Sequence, residues 1–94
     1  MGITLGQVIL SKAGRDAGKK FIIVGIIDKS WVLVADGDLR RIEKPKKKRL
    51  KHIELTEEIL PSLSEKLRNE LKVTNSEIRK SLAALKGMKE EIDK

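Results

Sequence analysis

Gly14-Arg15-Asp16-Ala17-Gly18-Lys19-Lys20, then Phe21–Ile27, then Trp31–Ala35, then Asp36-Gly37-Asp38: this run decides how the chain folds. Phe21–Ile27 is apolar without alternation and rich in Ile and Val. Such side chains lose rotamer freedom in a helix and pack well on a pleated surface. The segment is also too short for a good helix, so a central strand is predicted. Asp28-Lys29-Ser30 is a hairpin turn, and Trp31–Ala35 is the return strand. Asp36-Gly37 is the strongest short turn signal in the chain, because both residue types tolerate positive φ.

Outward from that run, Gly6–Ser11 is a further strand, with Val8 and Leu10 on one face and Gln7, Ile9 and Ser11 on the other. Leu39–Glu43 is expected as a short fourth strand, ended by Pro45, which cannot donate to a ladder. Arg49–Ile53 is expected as the last strand, with Pro45 and the lysine run as its connection. Five short strands with tight turns suggest a small barrel.

From Leu55 the periodicity changes. Thr56-Glu57-Glu58 is expected as a brief helical turn before Pro61. Ser62 and Glu65 have capping-box spacing, and Leu63, Leu67 and Leu71 recur on one helical face. Thr74 and Glu77 form a second box, flanked by Val73 and Ile78 at the two staple positions. Ile78, Leu82 and Leu85 continue as an apolar stripe, Gly87 is the expected stop, and Met88–Lys94 is expected as a frayed extra turn. The fold class is therefore mainly β with C-terminal α, divided into residues 1–55 and a helical extension of two short helices over 56–94.

The net charge of +7 is unevenly spread. Residues 1–53 hold 13 Lys or Arg and 5 Asp or Glu, whereas residues 54–94 hold 8 and 9. Eight of the thirteen residues from Arg40 to His52 are basic, against one Glu. A generic solvated surface mixes signs, so this surplus points to a polyanionic partner for the first segment. With no cysteine, disulfides and thiolate metal sites are excluded, and a reducing, cytoplasmic setting is expected. No apolar run is long enough for a membrane helix, and the N-terminus lacks the plan of a signal peptide.

Several motifs fail. Gly14-x-x-x-Gly18-Lys19-Lys20 has three residues between its glycines, where a nucleotide phosphate loop needs four and a following Ser or Thr. Asp36 and Asp38 lack a third ligand, so turn formation explains them better than a metal. His52 is the only histidine, with no nucleophile to complete a catalytic set. No catalytic residue, metal site, cofactor or small-molecule substrate is expected.

The glycine-containing loop between two apolar strands resembles a KOW motif. Val8-Ile9-Leu10 precede it, Gly14 and Gly18 lie within it, and Ile22-Ile23-Val24 follow. One departure is Phe21, which stands where that motif carries another glycine. The longer run is similar to the family of the fourteenth large-subunit ribosomal protein of archaea and eukaryotes and to its small bacterial relatives. Its blocks are Gly14–Lys19, Val24–Asp28, Val32–Arg41, Lys44–Lys48 and Lys51-His52. The tail resembles the bacterial relatives chiefly through Asn75-Ser76-Glu77-Ile78-Arg79-Lys80. The resemblance implies an SH3-like barrel of KOW type that binds structured, ribosomal RNA within the translation machinery, beside ribosomal proteins and away from membranes.

Residue chemistry agrees independently, since Lys and Arg at strand ends neutralise phosphates. The expected RNA-binding residues are Lys12, Arg15, Lys19 and Lys20 on the first loop, and Arg40, Arg41, Lys44, Lys46, Lys47, Lys48, Arg49 and Lys51 on the later one. Arg15, Arg40 and Arg41 lead, because a guanidinium forks onto phosphate or stacks on a base. Aromatic residues are scarce. Phe21 is expected in the core, while Trp31 either packs or stacks on a base. That scarcity favours shape and phosphate recognition over reading of single strands. The other reading is a protein-interaction module using the barrel and the helical stripes; against it stands the simpler possibility that those stripes cover the barrel.

Overall fold

A computed structural model describes the backbone of residues 2–93 and the side chains of residues 2–85. Five strands follow in order: β1 (Gln7–Ser11), β2 (Lys20–Ile26), β3 (Trp31–Ala35), β4 (Lys46–Arg49) and β5 (Ile53–Ile59). Two helices come after, α1 (Pro61–Arg68) and α2 (Asn75–Asp93). The strands form one antiparallel sheet in the order β4-β3-β2-β1-β5, so the last strand returns beside the first. β4 and β5 are its edges, and among the described residues no ladder joins them. The sheet is therefore open at the place where a closed barrel was expected.

Apolar side chains cover both faces of the sheet, as the unalternating β2 segment requires. On one face Val8, Ile22 and Ala35 pack with Leu63 of α1, Val73, and Ile78 and Leu82 of α2. On the other, Ile9, Phe21, Ile23, Val32, Val34 and Ile53 form a second cluster. The strand period of two explains the division: Val8 and Ile9, adjacent on β1, enter different clusters. Leu10 is only half-buried. The second cluster joins residues of β3 to Ile53 of β5, three strands away in sheet order, so the sheet curls around it.

The helical stripes face the sheet. Leu67 and Leu85 pack partly against the first cluster, whereas Leu71, beyond the end of α1, is 58% exposed. Pro61 occupies the first turn of α1, where its missing N–H costs nothing, and no side chain caps that helix; the expected Ser62 box does not form. The second box does form. Glu77 N donates to Thr74 Oγ1 at 3.1 Å, and Thr74 N donates to Glu77 Oε1 at 3.4 Å.

Five local expectations are corrected. Arg49–Ile53 is not the last strand: Arg49 ends β4, Leu50–His52 is a 3-10 turn, and β5 begins only at Ile53. Leu39–Glu43 is loop, not strand, because Ile42 is drawn into the helix-side cluster. The fourth strand is the lysine run itself, paired from Trp31↔Arg49 to Val34↔Lys46. Thr56-Glu57-Glu58 continues β5, not a helical turn, across an irregular register between Gln7↔Ile59 and Ile9↔Leu55. Finally α2 is not short; it spans 19 residues and runs through Gly87 to Asp93. Lys94, the last residue of the expected frayed segment, lies outside the described residues.

Candidate nucleic-acid interface

The first basic loop is closed by its own backbone. Gly14–Asp16 makes a single 3-10 turn, Ala17 N donates to Gly14 O at 3.2 Å, and Gly18 N donates to Ser11 O at 2.8 Å. Gly14 and Gly18 have φ of 77° and 86°, the left-handed region that glycine enters without penalty. Lys12, Arg15 and Lys19 are exposed and Lys20 is half-buried. Asp16 turns its carboxylate towards β4, with Oδ2 at 3.4 Å from Lys46 Nζ and 3.9 Å from Lys48 Nζ.

β4 sorts its four cations by strand alternation. Lys47 and Arg49 point outward, beside Trp31. Lys47 Nζ lies 4.7 Å and Arg49 Cζ 5.1 Å from the Trp31 ring centroid. Lys48 points the other way and is 7% exposed. Its ammonium donates to Ser11 Oγ at 2.8 Å and reaches Ala13 O at 3.5 Å. Burial holds its pKa below the usual lysine value, and the nearby Asp16 carboxylate opposes that shift. Lys48 thus ties the first loop to β4, and its charge is spent largely within the protein.

The second basic loop, residues 36–45, is held from two sides. Asp36 Oδ1 accepts from the Asp38 and Arg40 amides, each at 2.9 Å, which fixes the turn. The start of α2 holds the remainder. Asn75 Oδ1 accepts from Ile42 N at 2.8 Å, while its Nδ2 donates to the two Glu43 carboxylate oxygens at 2.9 and 3.2 Å. Arg79 Nη1 donates to Gly37 O at 2.8 Å. A Cβ on Gly37 would sit 2.4 Å from Asn75 O, so only glycine lets helix and loop approach so closely. The Asn75 bond, ahead of the loop's own backbone and Arg41, lowers the Glu43 pKa from its ordinary value. Arg41 and Lys44 are exposed on this loop, and Arg40 is half-buried.

Both loops lie at one end of the sheet, where β1 and β3 finish and β2 and β4 begin. Lys19 and Lys20 border a groove of about 450 Å³ together with Asp36, Leu39 and Arg79. Gly14, Trp31, Lys46, Lys47, Arg49 and His52 line a second depression of about 250 Å³. Lys51 stands apart, on the 3-10 turn Leu50–His52, and shares a groove of about 370 Å³ with Lys29, Ser30 and Arg49 at the far hairpin. Among the described residues no cluster of His, Asp or Glu could hold a metal ion, and no helix is long and apolar enough to cross a membrane.

Sequence reasoning missed three contributors. Lys29 joins the basic surface at the far hairpin. Asn75 and Arg79 hold the second loop, and their only advance signal was the Asn-Ser-Glu-Ile-Arg-Lys run. Spacing along the chain cannot show that Asn75 meets Ile42 and Glu43.

No protein-family model matches the chain. It is 42% identical over 55 residues to large ribosomal subunit protein eL14 of Desulfurococcus amylolyticus, covering 58% of this chain and 57% of that protein. It is 34% identical over 58 residues to the eL14 of Staphylothermus marinus, covering 62% and 60%. These matches thus span less than two thirds of the archaeal proteins. The similarity to a bacterial protein of Bacillus subtilis named "Putative ribosome-binding protein YbzG" is 31% over 71 residues, 76% of this chain and 96% of that one. A match of that length necessarily runs past the sheet into the helical segment.

Proposed function

The chain belongs to the family of YbzG of Bacillus subtilis, and we propose on that premise that it is a non-catalytic, cytoplasmic RNA-binding protein of the translation machinery. It docks on folded ribosomal RNA, as a ribosomal protein or a ribosome-associated factor, with neighbouring ribosomal proteins as further contacts. We read its curled sheet as an SH3-like barrel of KOW type. The strand order that returns β5 to β1 and the 3-10 turn between β4 and β5 support that reading. Residues 1–55 carry the RNA surface, and the C-terminal segment 56–94, helical from Pro61, braces it.

The observation that carries the proposal is the convergence of two basic loops at one end of the sheet, pinned by the Asp16–Lys46 ion pair and by Asn75. Arg15, Lys19, Arg41 and Lys44 present their charges to solvent there, Lys12, Lys20, Arg40 and Lys46 flank them, and Lys47, Arg49 and Lys51 extend the surface along β4 to the far hairpin. These cations displace counterions from phosphates, and their fixed spacing selects the shape of the RNA backbone. Lys48 contributes by holding the surface together. Packing of both helical stripes onto the sheet leaves the protein-interaction reading without a free apolar helix face in the described residues.

Crosslinking in cells followed by sequencing of the bound RNA tests the proposal. Enrichment of one region of ribosomal RNA is the expected result; a protein that crosslinks to no RNA overturns it.

A further inference from the structure

The sheet face that carries α1 and α2 is covered over only part of its width. Val8, Ile22 and Ala35 lie under the helices, but neither Trp31 nor Leu33, on the same face of β3, belongs to that cluster. The uncovered part carries an aromatic ring. Trp31 is the only tryptophan, and the single other aromatic residue, Phe21, is buried at 1% exposure. Among Phe, Tyr and Trp side chains, the half-buried ring of Trp31 is therefore the one that reaches the surface.

That ring is not alone. The register pairs Trp31 with Arg49 and Leu33 with Lys47, which sets both cations on the ring's side of the sheet. Lys47 Nζ and Arg49 Cζ lie 4.7 and 5.1 Å from the ring centroid. An indole and two phosphate-seeking cations are thus gathered within the dimensions of one nucleotide, whose flat base and phosphate call for those two chemistries. The depression beside them, about 250 Å³, is bordered by Gly14 and His52 and opens to solvent. It is below the roughly 300–1,000 Å³ of pockets for drug-sized ligands, and so suits a single ring.

We propose that Trp31, Lys47 and Arg49 form a nucleobase-stacking subsite that takes one unpaired base projecting from an otherwise folded RNA. The base lies against the indole and the flanking phosphates against Lys47 and Arg49. This rests on the RNA-docking function above and adds to it: the basic loops read backbone shape, and Trp31 reads the presence of a bulged or flipped base. In the free protein Lys47 and Arg49 rest over the indole, so stacking of a base moves them off the ring and onto the flanking phosphates. Stacking is tolerant of base identity, so the subsite selects for an unpaired base without specifying which.

The experiment uses the full chain and two RNA duplexes of equal charge, one fully paired and one with a single bulged adenosine. Because Trp31 is the sole tryptophan, its emission reports the subsite directly. The bulged RNA is expected to quench that emission and to bind more tightly than the paired one. Trp31→Leu is expected to weaken binding of the bulged RNA by about 5- to 150-fold, the range that a stacked base commands, and to remove the preference. It should leave the salt dependence of binding unchanged. Trp31→Phe, which keeps a stackable ring and guards against a folding defect in Trp31→Leu, should retain the preference. Equal affinity for both RNAs, with emission unaltered at saturation, overturns the subsite while leaving the docking function standing. If neither duplex binds, in contrast to ribosomal RNA, the subsite falls, and if ribosomal RNA also fails to bind, the docking function falls with it.

Discussion

Two basic segments adjoin in the chain, residues 36–44 and residues 46–49, and they are held by different forces. The second is a strand. Its register with β3 fixes each side chain, and alternation sends Lys47 and Arg49 outward and Lys48 inward. The first has no ladder. An Asp36 turn closes one part of it, and Asn75 and Arg79 of α2 hold the rest. The sheet thus positions one set of cations by itself, and the helical tail is needed to position the other. This gives the tail a role beyond covering the sheet, and it separates what each substitution should break.

The largest effect is expected from Gly37→Val. Its side chain would enter the space of Asn75 O at a backbone φ of 81°. Left-handed strain and overpacking together should cost about 3 kcal/mol. Thermal unfolding measures this, with a fall in Tm of about 10–20 °C expected for a chain of this size. Asn75→Ala should be milder, about 1–2 kcal/mol, because it removes the partner of a part-buried amide. Its mark is local. Hydrogen exchange at the Ile42 amide should accelerate while that of β4 stays slow, and RNA affinity should fall because only the second loop loosens.

Lys47→Met and Lys48→Met sharpen the comparison within one strand, since each removes one positive charge. Lys47 is exposed, so its loss should reduce the magnitude of the log–log salt slope of RNA binding by about 0.7–0.9. Lys48 is spent on Ser11, Ala13 and Asp16, so its loss should leave the slope nearly unchanged. Equal slopes for the two variants would erase the distinction between the faces of β4.

The smallest effect concerns pH. The Lys66 bond, reinforced by the Thr74 amide, lowers the Glu77 pKa from its ordinary value of 4.5. A depressed carboxylate stabilises the folded state above its unfolded pKa, and that contribution disappears as the pH falls through the lower folded value. Glu77→Gln should therefore lower stability at neutral pH, and the difference from the natural protein should vanish in acid below pH 4.5. A difference that persists unchanged in acid would contradict this. Glu43, lowered chiefly by Asn75, should follow the same direction.

Much of the fold was written locally. β-branched runs specified β2 and β3, Asp36-Gly37 specified its turn, and Thr74 with Glu77 specified the start of α2. Where local signals failed, a distant partner had overridden them. Lys46–Arg49 has poor strand composition, yet it pairs with β3 because Ser11, Ala13 and Asp16 accept the inward ammonium of Lys48. Leu39–Glu43 follows a strong turn signal, where a return strand was expected, but Asn75 and the helix-side core take Ile42. Glu57 and Glu58 suit a helix start in isolation; pairing with β1 and a solvent-facing edge make them part of β5. The candidate surface was legible as charge, but the inward turn of Lys48 and the contacts of Trp31 depended on register that no single segment contains.

The most direct test of the central claim is the salt dependence of the full chain binding to a folded ribosomal RNA fragment. If the convergent loops contact about five to eight phosphates, the log–log slope should be on the order of −3.5 to −7. A slope near zero would show that the cations of the two segments do not meet phosphate, and would contradict the proposed docking surface.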